Sequence, residues 1–375
     1  MTRSGGTPLR VAVDASPIVA ERSGVGHTTA ALVEHLAVRD DLEVSGYAIS
    51  RSGRDALAGL LPPGVRAATS PVPARVAHRL WRHVERPRIE TWTGPVDVVH
   101  ATNFVAPPAR APVVVTVHDL AYALLPELCR PETLEYDGLV RRALRRGATV
   151  HAVSDHVRAE ILEHYGLPED RVVRVYLGVE ALESAGDAAR GRAIVRSDRY
   201  VLALSTVEPR KNHPALVRAF DDVARDDPEL VLVIAGGLGW GVDELDRAVA
   251  ASPYTARVRV LGYVSDTARA DLLAGATALA YPSLYEGFGH PPFEAMGAGI
   301  PVLAARAGSI PEAVGDAALL VDPRDHDALA AGLARITTDE MLRAELRTRG
   351  AEQLRRYPWS GAVEELVVLY RRLAA

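Results

Sequence analysis

Two carboxylates flank a glycine-containing loop in the segment 281–301, YPSLYEGFGHPPFEAMGAGIP. Glu286 lies in the loop, and Glu294 lies in a helix that the two prolines are predicted to open. Gly287 and Gly289 allow the backbone to approach a ligand closely, and a helix N-terminus attracts anions, above all phosphates. Because carboxylates accept hydrogen bonds from hydroxyl groups, the segment predicts a ligand that combines phosphate with many hydroxyls. A nucleotide sugar has this chemistry.

A second stretch, EPRKN from Glu208 to Asn212, carries two adjacent cations. It follows a predicted strand, so we expect Arg210 and Lys211 at the mouth of a ligand site beyond the end of that strand. Lys211 is the one lysine of the chain, since every other basic residue among the 43 is an arginine. Fixed cations stabilise the charge that develops on a leaving diphosphate, so this stretch predicts a diphosphate site.

The two carboxylates admit other interpretations. Glu294 could cap its helix while Glu286 is a solvated loop residue, or the two could form the acid pair of a glycoside hydrolase. Arg210 and Lys211 favour a ligand that contains phosphate, because the hydrolysis of a glycoside has no use for two adjacent cations.

Glycines are expected after the ends of two other strands. Gly24 and Gly26 lie in SGVGH, ahead of a helix predicted at 28–38, and could form a phosphate-binding turn, a plain tight turn or a loop that faces an acceptor. The third glycine of the dinucleotide-binding fingerprint is missing. Gly236 opens the loop GGLGWG after a buried strand and is predicted to lie near the same ligand.

Two predicted strands end in a histidine. They are 96–100, which ends in His100, and 112–118, which ends in His118 and is followed at once by Asp119. Ligands of open α/β sheets bind beyond such strand ends. His118 is therefore a candidate site residue, and the alternative is a core or capping histidine.

Strands and helices alternate regularly in both halves of the chain. The predicted strands are 10–14, 42–49, 96–100, 112–118, 149–153, 172–176, 200–205, 230–235, 258–261, 277–281, 301–304 and 318–321. This alternation predicts an α/β protein with two doubly wound, Rossmann-like parallel-sheet domains facing across a cleft. We place the first domain at 1–185 and the second at 186–359, with an alanine-rich linker that reaches 197 and a helix at 360–375 that crosses back to the first domain.

Composition excludes several classes of protein. The net charge of −5 is modest, which argues against a nucleic-acid partner. The single Cys129 excludes an intramolecular disulfide or a multi-cysteine metal site and fits a reducing cytoplasm. No secretory signal is visible, and the longest uncharged run, 230–242, is too short to span a bilayer. We expect a cytoplasmic protein that is at most peripheral at the inner face of a membrane.

A basic amphipathic helix is predicted at 74–86. Its arginines (Arg75, Arg79, Arg82 and Arg86) share one face, and its apolar residues (Val76, Leu80 and Val84) share another. Such a helix can lie on an anionic membrane surface or bind an anionic acceptor. An ordinary core helix with a solvated basic face is the alternative.

Several motifs together resemble the retaining glycosyltransferase family 4, which has the GT-B fold. They are SGVGH at 23–27, VHD at 117–119, VS at 153–154, EPRKN at 208–212, GYV at 262–264 and EGFGHPPFE at 286–294. The last matches the family's Glu-x7-Glu motif. The subgroup of greatest similarity contains cytoplasmic mannosyl- and rhamnosyltransferases of bacterial polysaccharide or glycolipid assembly.

The resemblance implies a role for each candidate residue. Arg210 and Lys211 would bind the donor diphosphate, and Glu286 would hold sugar hydroxyls with the backbone N–H groups of Phe288 and Gly289. Glu294 would bind the ribose, and the backbone around Val264 would meet the base. His118 would lie against the donor sugar, and the Gly24–Gly26 loop would lie near the diphosphate or the acceptor.

The predicted reaction is transfer of a hexose, with retention at the anomeric carbon, to a glycan, a lipid-linked or a small-molecule acceptor. GDP-mannose is the first choice of donor and a UDP-sugar the second. We expect no cofactor besides this co-substrate and no metal, because Arg210 and Lys211 replace a cation. The alternatives are a nucleotide-sugar epimerase, a pyridoxal-phosphate glycan phosphorylase of the same architecture and a non-catalytic sugar-nucleotide binding subunit.

Overall fold

The computed structural model describes residues 7–19, 24–49, 54–81, 84–179 and 185–375. The chain forms two compact units. The first comprises Met1–Ala123, Glu132–Gly178 and Trp359–Ala375, and the second comprises Leu124–Pro131 and Val179–Pro358. The C-terminal helix thus belongs to the first unit. Ser23 of the SGVGH motif lies outside the described residues.

The strands of the described residues form one parallel sheet in each unit. They are β1 (Leu9–Asp14), β2 (Leu42–Ala48), β3 (Arg66–Thr69), β4 (Val98–Ala101), β5 (Val113–Val117), β6 (Thr149–Ala152), β7 (Val172–Arg174), β8 (Tyr200–Leu204), β9 (Val231–Ala235), β10 (Val258–Gly262), β11 (Ala278–Tyr281), β12 (Val302–Ala305) and β13 (Leu319–Val321). Their orders are β3-β2-β1-β4-β5-β6-β7 and β10-β9-β8-β11-β12-β13. Each order reverses beside the first strand of its unit, which confirms two doubly wound α/β domains.

Helices connect these strands. They are α1 (Ser16–Val19), α2 (Gly24–Ala37), α3 (Arg54–Leu60), α4 (Ala74–Trp81), α5 (Glu90–Thr93), α6 (Ala121–Leu124), α7 (Glu135–Arg145), α8 (Asp155–Tyr165), α9 (Ala188–Val195), α10 (His213–Asp226), α11 (Val242–Ala251), α12 (Asp266–Gly275), α13 (His290–Gly297), α14 (Ile310–Val314), α15 (His326–Thr338), α16 (Glu340–Leu354) and α17 (Trp359–Ala374). Among the described residues, no helix has both the length and the apolar character that crossing a membrane requires.

A hydrogen-bonded chain joins α17 to the first sheet. The Tyr370 hydroxyl lies 2.6 Å from His100 Nδ1, His100 Nε2 lies 2.8 Å from the Thr116 hydroxyl, and that hydroxyl lies 2.9 Å from His151 Nδ1. His151 Nε2 lies 2.8 Å from the Val175 carbonyl oxygen, which only accepts. His151 Nε2 therefore carries the proton and donates to Val175, and its Nδ1 accepts from the Thr116 hydroxyl. The Thr116 oxygen in turn accepts from His100 Nε2, and His100 Nδ1 accepts from the Tyr370 hydroxyl. Burial lowers the pKa of His100 well below its ordinary value and that of His151 to about 4, so both rings are neutral and His100 is a core residue.

Helices α2 and α9 and strand β3 differ from the prediction. Helix α2 begins at Gly24, so Gly24 and Gly26 lie in its first turn and not in a loop before it. Helix α9 occupies much of the predicted linker, because Asp187 caps it and Arg190 pairs with the buried Asp271 of α12. Strand β3 has no counterpart among the predicted strands, since four residues of Arg-Ala-Ala-Thr carry little strand signal.

Residues 84–86, which the prediction places in the basic helix, are not helical. Helix α4 is described over Ala74–Trp81, residues 82–83 lie outside the described part of the chain, and nothing is described of the Arg75 side chain. Ala77 and Trp81 are the buried residues of this region. Val76, Leu80 and Val84, which share the predicted apolar face, are exposed instead.

Candidate functional site

The loop after β8 presents the two adjacent cations. Residues Pro209–Lys211 form a short 3-10 turn, and Asn212 closes it in the left-handed conformation (φ 59°) at the start of α10. The Asn212 side-chain amide donates to the Pro282 and Pro323 carbonyl oxygens, at 3.3 and 2.9 Å. An asparagine tolerates this backbone conformation better than most residues, and its two bonds fix the direction in which Arg210 and Lys211 leave the turn.

Arg210 and Lys211 converge on one carboxylate. Arg210 Nη1 donates to Glu286 Oε2 at 3.0 Å, and Lys211 Nζ donates to Glu286 Oε1 at 2.5 Å. The Leu284 N–H donates to the Arg210 carbonyl at 2.8 Å, which ties the loop after β11 to the loop after β8. The two segments that the sequence singled out therefore meet at one edge of the second sheet.

Tyr281, the last residue of β11, is the third donor to this carboxylate. Its hydroxyl donates to Glu286 Oε1 at 2.8 Å and lies 3.3 Å from Lys211 Nζ. Burial, followed by the neighbouring Glu286 charge, raises the pKa of Tyr281 well above its ordinary value, so the phenol keeps its proton. Sequence reasoning missed Tyr281, and the one available signal was its position at a strand end beside the loop.

Glu286 is a buried anion. Only 6% of the residue is exposed. Burial on its own raises the pKa of Glu286, but Lys211 and then Arg210 outweigh burial and lower the pKa to about 2. The carboxylate is thus ionised at neutral pH, and donors engage both of its oxygens.

The backbone of Glu286 is held by the segment after β12. The Ser309 N–H and hydroxyl both donate to the Glu286 carbonyl, at 2.9 and 3.0 Å. Gly308 has φ +56°, and a Cβ there would lie 2.5 Å from the Glu286 carbonyl oxygen. Neither residue was predicted, because their contact depends on two loops that are distant in sequence.

Glu294 lies in α13 and offers an unused acceptor. Its Oε1 accepts from Arg269 Nη1 at 3.3 Å, whereas Oε2 is buried and has no hydrogen-bond partner among the described residues. Burial raises the pKa of Glu294 more than Arg269 lowers it. Because a buried polar atom without a partner is costly, Oε2 is suited to a ligand group that donates, such as a hydroxyl. Arg269 was not among the predicted residues.

Local backbone geometry explains why glycine occupies two of the predicted positions in the second unit. Gly289 adopts φ +86° directly before α13, and a Cβ on Gly236 would lie 2.1 Å from the Ser205 carbonyl oxygen. Gly287 lies in the loop between β11 and α13. The Phe288 ring is buried and stacks on Phe293, with 5.2 Å between the ring centroids, so its backbone is the part left to meet a ligand.

Parallel strands bring the predicted donor-binding residues of the second unit to one edge. Gly236 follows β9, Val264 follows β10, the two cations follow β8 and the glutamate loop follows β11. This edge holds the carboxyl ends of all four strands, where open α/β sheets bind ligands.

The remaining predicted residues lie in the first unit. His118 Nε2 lies 2.8 Å from the Thr102 carbonyl oxygen, to which it donates, and burial lowers the pKa of His118. Gly24 and Gly26 belong to the first turn of α2, where backbone N–H groups lack helical partners.

Two family models match the chain: "Glycosyltransferase Family 4" over residues 22–181 and "Glycosyl transferases group 1" over residues 188–353. The O-antigen chain mannosyltransferase B of Escherichia coli is 31% identical over 283 residues, which cover 74% of each chain. A phosphatidyl-myo-inositol mannosyltransferase of Mycolicibacterium smegmatis is 28% identical over 326 residues, covering 83% of this chain and 81% of the relative.

Solved structures show the same fold. The crystal structure of Anabaena HepE in complex with UDP and glucose superposes with a TM-score of 0.74 at 20% identity, and the match covers 97% of this chain and 100% of that one. The chain therefore belongs to glycosyltransferase family 4 and is a glycosyltransferase of the GT-B fold.

Proposed function

We propose that this glycosyltransferase moves mannose from GDP-mannose to a hydroxyl of a glycan, lipid-linked or small-molecule acceptor, with retention at the anomeric carbon. The observation that carries the proposal is the convergence of Arg210 and Lys211 on the buried Glu286. Mannose is favoured because the relatives described above are named as mannosyltransferases. Their names also favour a glycan or a lipid-linked acceptor.

Arg210 and Lys211 bind the donor diphosphate and stabilise the charge that develops on it as the sugar leaves. They take the place of a divalent cation, so the reaction needs no metal. Glu286 accepts hydrogen bonds from the sugar hydroxyls, with the backbone N–H groups of Phe288 and Gly289 beside it.

Glu294 binds the ribose of the donor. Its buried Oε2 has no hydrogen-bond partner among the described residues, so a ribose hydroxyl would satisfy an acceptor that is otherwise orphaned. The backbone at Val264 meets the base.

No protein nucleophile is assigned to the reaction. Lys211 and Tyr281 donate to one oxygen of Glu286, and Arg210 donates to the other, so this carboxylate is a poor nucleophile. The leaving diphosphate instead accepts the acceptor's proton on the same face of the sugar. The new glycosidic bond forms there as the bond to the diphosphate breaks, which gives retention.

Calorimetric titration of the protein with GDP, UDP, GDP-mannose and UDP-glucose tests the donor. Tightest binding of GDP-mannose is expected, and NMR of the product formed with a mannoside acceptor should show an α-anomeric linkage. Conversion of the donor without an acceptor would indicate an epimerase, and donor binding without any turnover would indicate a binding subunit. An absorbance band from a lysine-bound pyridoxal phosphate would indicate a phosphorylase.

A further inference from the structure

Ser205 lies at the topological switch point of the second sheet. It follows the last residue of β8, whose neighbours in the sheet are β9 and β11, and the strand order reverses at β8. The Ser205 N–H donates to the Ala235 carbonyl oxygen at 3.0 Å, so Ser205 lies beside Gly236, the first residue after β9. Open α/β sheets bind their ligands at such a switch point. The carboxyl end of β8 is therefore a place where a side chain meets a ligand.

A buried histidine holds the Ser205 side chain. His213 is the first residue of α10 and is 1% exposed, and its Nε2 lies 3.0 Å from Ser205 Oγ. Burial, followed by the charge of Lys211, lowers the pKa of His213 to about 4. The ring is therefore neutral at neutral pH and carries a single N–H. The nitrogen that holds this proton decides whether His213 donates to Ser205 or accepts from it.

The surroundings of the other ring nitrogen place the proton on Nε2. His213 Nδ1 is buried, and it has no hydrogen-bond partner in the part of the chain that the structure describes. Nδ1 is the ring nitrogen nearer to the backbone, and that backbone is the first turn of α10, where free N–H groups create a positive potential. Because a lone pair is favoured there over another N–H group, Nε2 carries the proton. His213 thus donates to Ser205 Oγ.

The hydroxyl of Ser205 keeps its own proton to donate. Its oxygen accepts from His213, and the described residues offer its O–H no acceptor. A phosphate oxygen only accepts hydrogen bonds, and a bond to a charged oxygen is stronger than one between neutral groups. Arg210 and Lys211, the proposed ligands of the diphosphate, lie in the loop that Ser205 begins. The hydroxyl therefore has the chemistry that this diphosphate requires.

We propose that Ser205 donates a hydrogen bond to the donor diphosphate, as a neutral third ligand beside Arg210 and Lys211. His213 is the positioning residue that keeps the Ser205 hydroxyl in its donating state. The inference rests on the proposed function, because it requires the diphosphate to lie against the loop after β8. A neutral ligand adds a hydrogen bond to the diphosphate without adding a charge that Glu286 would have to balance.

Calorimetry of Ser205→Ala with GDP tests the contact. NMR titration with guanosine, which has no phosphate, separates this contact from those with the base and the ribose. We expect the variant to bind GDP about tenfold more weakly, because a hydrogen bond to a charged group is lost, and to bind guanosine like the unaltered protein. Unchanged affinity for GDP, or equal losses for GDP and guanosine, would overturn the proposal.

A double-mutant cycle tests the role of His213. His213→Leu should weaken GDP binding about fivefold, because the hydroxyl loses the bond that orients it. Added to Ser205→Ala, the same substitution should cost no further affinity, since both residues act through one contact. His213→Gln, whose amide N–H replaces the Nε2–H group, should bind GDP like the unaltered protein. A further loss in the double variant, or no rescue by glutamine, would overturn the positioning role.

Ser252→Ala is the matched control. Ser252 is a buried serine of the same unit, at the C-terminal end of α11, and its hydroxyl donates to Asp221. A helix that follows a parallel strand runs back along the sheet, so this end of α11 lies away from the donor loops. GDP affinity should be unchanged, and equal losses for the two serine variants would contradict the proposal. The affinity of the unaltered protein for GDP tests the proposed function separately, so the failure of either is recognised on its own.

Discussion

Replacing Glu286 with glutamine should strengthen the binding of GDP and abolish the additional affinity that the sugar gives to GDP-mannose. In the structure Lys211 donates to Glu286 Oε1, so on the proposed assignment a diphosphate would compete with this carboxylate for Lys211. The pKa of Glu286 is about 2 against an ordinary 4.5, which corresponds to about 3 kcal/mol of stabilisation of the ionised form. Lys211 makes the largest of the interactions that lower this pKa, so removing the carboxylate charge should tighten GDP binding about tenfold, or roughly 1.4 kcal/mol.

Calorimetry with GDP and with GDP-mannose measures both effects. Glutamine keeps an oxygen at the site but loses the charged acceptor for sugar hydroxyls, so mannose should add no affinity beyond that of GDP. Turnover should fall by about 10²-fold or more. Far-UV circular dichroism of the variant checks that it remains folded.

Glu294→Gln is the control for net charge. It also removes one negative charge from α13 and its neighbourhood, but Glu294 pairs with Arg269 and not with Lys211. We expect it to weaken GDP binding about tenfold, because the ribose loses a charged acceptor. If both variants bind GDP more tightly, the effect is one of overall charge, and the competition between Glu286 and the diphosphate is refuted.

Three other substitutions test neighbouring parts of the structure. Tyr281→Phe should lower kcat/KM for the donor about tenfold with GDP affinity unchanged, since it removes a donor to a charged carboxylate; an equal loss for GDP would contradict this. Lys211→Ala should lower turnover about 10²–10³-fold, and near-normal turnover would count against the diphosphate role. His151 has a pKa of about 4 in the folded protein, against 6.5 in the unfolded chain. Between these two pKa values unfolding takes up a proton, so the free energy of unfolding should fall as the pH drops, by about 2 kcal/mol between pH 7.5 and pH 5. His151→Gln, whose side chain still donates and accepts hydrogen bonds, should remove that part of the pH dependence of the free energy of unfolding in urea. An unchanged pH dependence would show that His151 does not cause it.

The sequence predicted the architecture because its strands are short runs of valine, leucine and alanine separated by helical segments. This regular alternation determines a parallel sheet, and a parallel sheet brings successive strand ends to one edge. The meeting of Arg210, Lys211 and Glu286 follows from that rule, since each residue lies just beyond a strand. Their roles toward a donor stay predictions.

The partners of these residues were harder to predict. Each partner contacts Glu286 or Glu294 through a single side chain: Tyr281 and Ser309 contact Glu286, and Arg269 contacts Glu294. These contacts depend on which loops lie close together in the fold, and no local sequence pattern indicates that. Gly24 and Gly26 resembled a loop because glycine is unfavourable inside helices. The structure places them in the first turn of α2, where the Thr28 hydroxyl donates to the Gly24 carbonyl oxygen at 2.9 Å.

The pairing in the donor site has a consequence for the whole catalytic cycle. Arg210 and Lys211 are largely enclosed, with 15% and 12% of their side chains exposed, so loss of the Glu286 anion would destabilise the empty site. Glu286 supplies a countercharge to both cations. On the proposed donor assignment, Lys211 would turn to a phosphate, and Tyr281 would still donate to Glu286. The same carboxylate is then free to accept hydroxyls of the sugar. On the proposed assignment, Glu286 would keep the empty site stable and the loaded site selective, so a substitution that improves nucleotide binding should do so at the expense of sugar recognition.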